Sequence, residues 1–270
     1  MQLMAARAML LPPQGPSSMP FTYFAHQLCV LPLKQAKPRW FDGTALCLGS
    51  MAPDFGYALM NTPLAVSSHR FRAQLYWTLP VAWALTWLIR TQLAAPVGAQ
   101  LPGALGREVR ALARTRHPLP VTALSAVIGG VSHVVLDLFT HPHGWMFEHV
   151  SLLRHVLWSN LTVAGGLQYL GHTFGTAIGM WWMWRLVQAR SISTWNGSSE
   201  GELDGDIARA PWFWPALVRG SALCAVIAGC ELVRTADISI AIMRGSFLEL
   251  LLLLGLTLGL RRTASVRVAQ

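Results

Sequence analysis

The sequence predicts an all-α, integral membrane helical bundle of about five transmembrane helices, preceded by amphipathic or half-spanning N-terminal helices. Three observations predict it. Of 270 residues, 53% are apolar and only 12% are Asp, Glu, Lys or Arg, about half the ~25% charge of an ordinary soluble domain. Several apolar segments approach the ~20 residues that cross a hydrocarbon core. The basic residues are all arginine except Lys34 and Lys37, and they flank the apolar segments as cytoplasmic positive loops do. These figures exclude a disordered chain, which is apolar-poor and charge-rich, and argue against a purely cytosolic enzyme. The formal net charge of +9 does not imply a nucleic-acid partner, because the arginines are scattered between apolar runs instead of gathered on one face. The expected partner is the lipid bilayer.

Residues 1–18 are short on pattern and read as an extension or a mis-assigned start, with Met19 opening the sequence MPFTYFAHQ. Residues 19–270 read as one membrane-embedded domain, with a candidate site half at 19–150 and a helical-bundle half at 151–270. The stretch from Asp42 to Met60 is apolar but broken by Gly49, Pro53 and Asp54, so it reads as a core helix or a half-spanning element. The first expected span runs from about Leu75 to Ala94 and the second from about Leu119 to Phe139. The third, about Leu161 to Trp184, ends in WWMW, the composition of an interfacial aromatic belt. The last two, about Trp212 to Val233 and Ser239 to Leu260, read as a helical hairpin. Between Ser191 and Ala210 lies a polar, acidic stretch expected to be a flexible loop. Cys29, Cys47, Cys224 and Cys230 sit in apolar runs without a C-x-x-C spacing. They read as small buried hydrophobes, with no disulfide framework.

Arginine placement orients the spans. Arg90, Arg107, Arg110, Arg114 and Arg116 fill the loop between the first and second expected spans, Arg185 and Arg190 follow the third, and Arg261, Arg262 and Arg267 follow the fifth. With alternating spans these share one side, the cytoplasmic one. The histidine-rich loop after the second span then faces the outside of a bacterial plasma membrane. Lys34, Lys37 and Arg39 agree only if the broken stretch after them also crosses.

Chemistry concentrates in SHVVLDLFTHPHGW. His133, Asp137 and His141 are spaced four and four, which stacks them on one helical face. Imidazole and carboxylate one turn apart can close on a divalent metal, or they can form an interfacial polar turn facing water. Taken singly, His26 reads as a core histidine, Asp54 after Pro53 as a turn residue, and His69 as a surface residue. Arg70 and Arg72 beside His69 either flank the membrane or hold an anionic head group. His143, Glu148 and His149 are spare candidates for proton transfer or an extra ligand. Among the later spans, Gln168, Tyr169 and His172 interrupt the third. Arg219 and Glu249 read as a structural helix-to-helix pair or, with Arg244, as part of a transport path.

Six ligand-type residues in one half of a charge-poor chain form a pattern. MPFTYFAHQLCVLPL, LGSMAPDFGY, SSHRF and GGVSHVVLDLFTHPHGW, in that order, resemble a bacterial membrane family of unknown function, the domain-of-unknown-function family numbered 4184. The resemblance runs from Met19 to about Trp145 and more loosely beyond. The same order is similar to the membrane-bound metal-dependent hydrolases of the YdjM type and, more distantly, to zinc-dependent phospholipase C. The resemblance implies His26, Asp54, His69, His133, Asp137 and His141 as metal ligands. With such a metal, Asp54 or Asp137 could either ligate or take a proton, Arg70 and Arg72 could hold an anionic head group, and the expected substrate is a phospholipid or other phosphoester. The later H-x-x-x-E pair of the phospholipases has no counterpart, so one or two divalent ions, zinc foremost, are expected. The competing expectations are a non-enzymatic membrane protein with a structural metal or buried polar network, and a small transporter or accessory subunit.

Overall fold

A computed structural model describes residues 24–141, 145–198 and 209–268. The expected extension at 1–18, the Met19 start, His143 and the acidic residues at 199–208 lie outside them. The chain is mostly helical. A 3-10 turn at His26–Cys29 leads into α1 (Leu31–Ala36), α2 (Gly43–Gly49) and α3 (Ala52–Phe55). A helical run follows, made of α4 (Leu79–Leu88) and α5 (Ala94–Gln100) with π-helical turns at Gln74–Thr78 and Ile89–Leu93. Next come α6 (Gly103–Arg114), α7 (Leu119–Thr140), and the short α8 (Trp145–His149) and α9 (Ser151–Arg154). One antiparallel hairpin, β1 (Val156–Trp158) with β2 (Leu161–Thr162), is the departure from an all-α fold among the described residues. The chain finishes through α10 (Val163–Leu170), α11 (Thr176–Gln188), α12 (Ser191–Asn196), α13 (Phe213–Thr235) and α14 (Ile238–Val268).

Asp42 starts α2 because its carboxylate accepts from the Ala45 backbone N–H, satisfying one of the helix's orphan donors. Pro53 sits in the first turn of α3, where no backbone N–H is missed. The stretch from Asp42 to Met60 is thus a pair of short core helices; Ala45, Ala52 and Phe55 belong to the central apolar cluster with Ala82, Ala126 and Met243.

The closest packing joins α2 to α7. A Cβ at Gly49 would lie 2.2 Å from the Ala126 carbonyl oxygen, and one at Gly129 would lie 2.4 Å from that of Leu46. Two backbones approach this closely only over small residues. Gly129→Ala is therefore expected to push α2 off α7 at a cost of about 1–3 kcal/mol. An unchanged thermal midpoint in detergent would show that the helices have room to spare.

Among the described residues, three helices are long and apolar enough to cross a membrane, those beginning at Leu119, Phe213 and Ile238. On α13, Val218, Leu223, Val226 and Val233 stand more than half exposed, the surface of a membrane protein. The expectation of about five spans is not met. The segments around 75–94 and 163–184 are helical, but π-helical turns at Ile89–Leu93 and Gly171–Gly175 divide them into shorter α-helical lengths, and the first two residues of the expected third span belong to β2. In the first, Arg90 is drawn inward to the buried Asp42 carboxylate, 2.5 Å away. The expected C-terminal hairpin is present, with Gly220 of α13 lying against Leu252 of α14.

The expected loop from Ser191 needs a correction. Residues Ser191–Asn196 form α12, because the buried Glu108 carboxylate accepts from the backbone N–H groups of Ile192 (2.7 Å) and Ser193 (3.2 Å). At its other end, Asn196 donates to the Ala111 carbonyl and to Thr115 Oγ1.

Candidate metal centre

Four elements carry ligand-type side chains to one place. His133 and Asp137 lie one turn apart on α7, with His133 Nε2 3.2 Å from Asp137 Oδ2. Asp54 enters from α3, its Oδ1 3.5 Å from His133 Nε2 and 3.2 Å from His69 Nε2. His69, in the turn ahead of the π-helical residues, also stands 3.5 Å from Asp137 Oδ2. His26 stacks flat on His133 with ring centroids 3.9 Å apart. Ligand atoms fall into two mutually close groups, His26–Asp54–His133 and His69–His133–Asp137. His133 is common to both.

The histidines are held from behind. His133 Nδ1 donates to the Ser50 carbonyl at 2.8 Å, a contact set by the close approach of α2 to α7, and this leaves Nε2 with its lone pair directed inward when the ring is neutral. His69 Nδ1 lies 3.2 Å from Ser68 Oγ, and the Gln74 amide fixes that turn by donating to the carbonyls of Ser68 and Arg70. Such partners fix ring orientation at metal sites. The Nε2 atoms of His69 and His133 face each other across 3.3 Å with two carboxylates alongside. Two lone pairs and two anions at that separation repel unless a proton or a cation lies among them. The buried His26 Nδ1 has no hydrogen-bond partner.

Electrostatics prepare the two residues outside the spans. Burial, with His133 adding to it against the pull of Asp137 and Asp54, lowers His26 to about 3. It is a neutral imidazole at ordinary pH. Burial by itself would raise the Asp54 carboxyl, but His133, His69 and His26 outweigh it and hold Asp54 down at about 2. A neutral imidazole and an ionised carboxylate are the forms that bind metal.

His141 stands apart from both groups. Gln168 of α10 donates to its Nε2 at 3.1 Å, so its Nδ1–H faces Asp137 Oδ1 across 3.4 Å. It steadies Asp137 from outside the two groups. Arg70 and Arg72 are exposed on either side of the exposed Phe71, next to His69. Glu148 and His149 are exposed and belong to neither ligand group, His149 stacked on Trp145. The expected Arg219–Glu249 pair is replaced. Glu249 accepts from Ser221 at 3.0 Å, and the helix-to-helix ion pair joins Glu231 to Arg244. Arg244 also donates to the carbonyls of Ala58 (3.0 Å) and Met60 (2.8 Å), tying the membrane hairpin to the turn that follows Asp54. Ser50, Ser68, Gln74 and Gln168 carry no sequence signal of these roles beyond being polar in apolar surroundings.

Fold and cluster together define a membrane-type helical protein with a His/Asp constellation at one end of α7. The chain belongs to the family described as Domain of unknown function (DUF4184), whose model matches residues 19–253. Comparison with curated proteins and with solved structures gives no match.

Proposed function

We propose that the protein is a membrane-bound, divalent-metal-dependent hydrolase acting on a phosphoester, with a phospholipid or lipid-like substrate taken at the membrane surface. The observation that carries this reading is the facing pair of imidazole Nε2 atoms beside two carboxylates. His26, Asp54, His69, His133 and Asp137 would hold the ion or ions, and a nitrogen and oxygen donor set suits zinc. Two groups sharing His133 have room for one ion or two. When bound, such a metal lowers the pKa of its water from 15.7 towards ~7 and polarises the scissile centre. Asp54 or Asp137, both ligand and base in type, would take the proton released. His141 keeps Asp137 oriented for that task. Arg70 and Arg72, exposed around Phe71, suit an anionic head group at an apolar boundary, since guanidinium forks match phosphate. The proposed setting is a multi-pass bacterial plasma membrane protein with the centre on the outer side.

Metal analysis of protein purified without chelator, paired with hydrolysis of a phosphodiester and of phospholipid vesicles, tests the reading. Stoichiometric zinc and chelator-sensitive turnover are expected. Protein free of metal and inactive after zinc is restored would sink it.

A second reading is favoured by the His133–Asp137 and His69–Asp54 contacts at 3.2 Å. With the imidazoles protonated, the same cluster closes on itself as a buried ion network without catalysis. Tightly held metal without turnover would instead make the ion structural.

A further inference from the structure

His172 is a polar interruption of an apolar segment, and neither ligand group contains it. Its neighbours on the same helical run contact the residues around the centre. One turn earlier on the same helical run, Gln168 donates to His141. One turn later, Gly175 lies so close to the His26 segment that a Cβ there would stand 2.9 Å from that of Ala25. At Gly179 a Cβ would come within 2.4 Å of the Phe24 carbonyl oxygen. Residues 168, 172, 175 and 179 share one helical face, so His172 sits between the contact to His141 and the contact beside His26. It also lies within the π-helical turn Gly171–Gly175, a distortion frequent at functional sites.

Both ring nitrogens of His172 are shut off from water and, among the described residues, have no hydrogen-bond partner. Buried polar groups are almost always paired, and these two nitrogens find no partner among the described residues. His172 belongs to neither group of close ligand atoms, and the Nε2 of His141 already accepts from Gln168. The unmet bond therefore points to a molecule that arrives at the rim of the ligand set. A neutral imidazole keeps one N–H donor and one lone pair, so no change of charge is needed for it to bind.

We propose that His172 is a substrate-binding residue of the centre, its ring N–H donating to a phosphoryl oxygen of the phosphoester. This rests on the metal-hydrolase reading. It adds a donor to a site otherwise rich in acceptors, which an anionic substrate needs once the metal has neutralised the carboxylates.

The test uses inorganic phosphate as the probe on full-length, zinc-loaded protein in detergent. His172→Leu fills the same space without a donor, and His172→Gln keeps an N–H near the position of the ring nitrogen. Zinc content is expected to be unchanged in both. Phosphate should bind His172→Leu about 10-fold or more weakly, the loss of one hydrogen bond to a charged group, while His172→Gln keeps most of the affinity. Equal phosphate affinity in wild type and His172→Leu overturns the proposal and leaves the metal centre standing. So does loss of zinc from His172→Leu, which would make the ring a ligand. Wild-type protein that takes up no zinc removes the hydrolase reading, and this inference with it.

Discussion

His133→Ala is expected to empty the centre of metal and abolish hydrolysis. His133 is the one residue shared by both ligand groups, and its side chain is 1% exposed. Truncation removes the Nε2 that both carboxylates face, leaves the Ser50 carbonyl without its donor, and takes away the ring on which His26 stacks. Replacing residues that merely sit behind metal ligands costs ~10–100-fold in affinity. Deleting the shared ligand should therefore cost more than about 100-fold. The measurement is zinc per protein by elemental analysis after gel filtration, with His149→Ala as the control because His149 is exposed, stacked on Trp145 and in neither ligand group. Zinc retained at wild-type stoichiometry in His133→Ala, and again in the double variant with Asp137→Ala, would end the metal-centre reading.

The reach of the sequence into this centre was uneven, for physical reasons. His133 and Asp137 at i and i+4 required only helical periodicity. That periodicity fails one step later. Thr140 is the last residue of α7, and His141 turns to extended backbone at φ −104° and ψ 130°, so the third member of the H-x-x-x-D-x-x-x-H row leaves the shared face and supports Asp137 from the side. Asp54 and His69 could not be joined to the helix by spacing. They arrive through the backbone contact of Gly49 and Gly129, which is tertiary packing. Arg90 misled in the other direction. Near the end of an apolar run it resembles a cytoplasmic flank, yet its partner, Asp42, lies 48 positions earlier in the chain. Glu108 likewise turns the start of an apparent loop into α12 by capping it from a distant helix.

Asp42→Ala is the second large effect, and it acts on stability first. Asp42 is fully buried. Its Oδ1 accepts from Arg90 at 2.5 Å and from the Ala45 N–H at 3.2 Å, and its Oδ2 accepts from Thr122 at 2.7 Å. Its own backbone N–H donates to Ser125 at 2.9 Å. Removing the carboxylate strands the Arg90 guanidinium, whose side chain is only 10% exposed, and breaking one partner of a buried pair costs about 3–5 kcal/mol. Burial alone would raise the Asp42 carboxyl, but Arg90, Thr122 and the Ala45 N–H outweigh it and hold it below its ordinary value. The sign of the pH dependence follows. A carboxyl lowered in the folded state contributes stability that is present above its unfolded value near ~3.9 and is lost as pH falls through the lower folded one. Asp42→Ala should therefore lose most stability near neutral pH and approach wild type in strong acid. Asp42→Leu combined with Arg90→Met should recover much of the loss, because it removes both charges together. The effect extends to the centre. Asp42 caps the start of α2 and Ser50 caps its end, so loosening the first end frees the carbonyl that aims His133. Unfolding midpoints and zinc affinity, measured on the same preparations, should fall together in Asp42→Ala and recover together in the double variant. A drop below about 1 kcal/mol would mean the pair contributes no more than an exposed surface salt bridge. Zinc affinity unchanged alongside a large loss of stability would show that α2 does not carry strain from one end of α7 to the other.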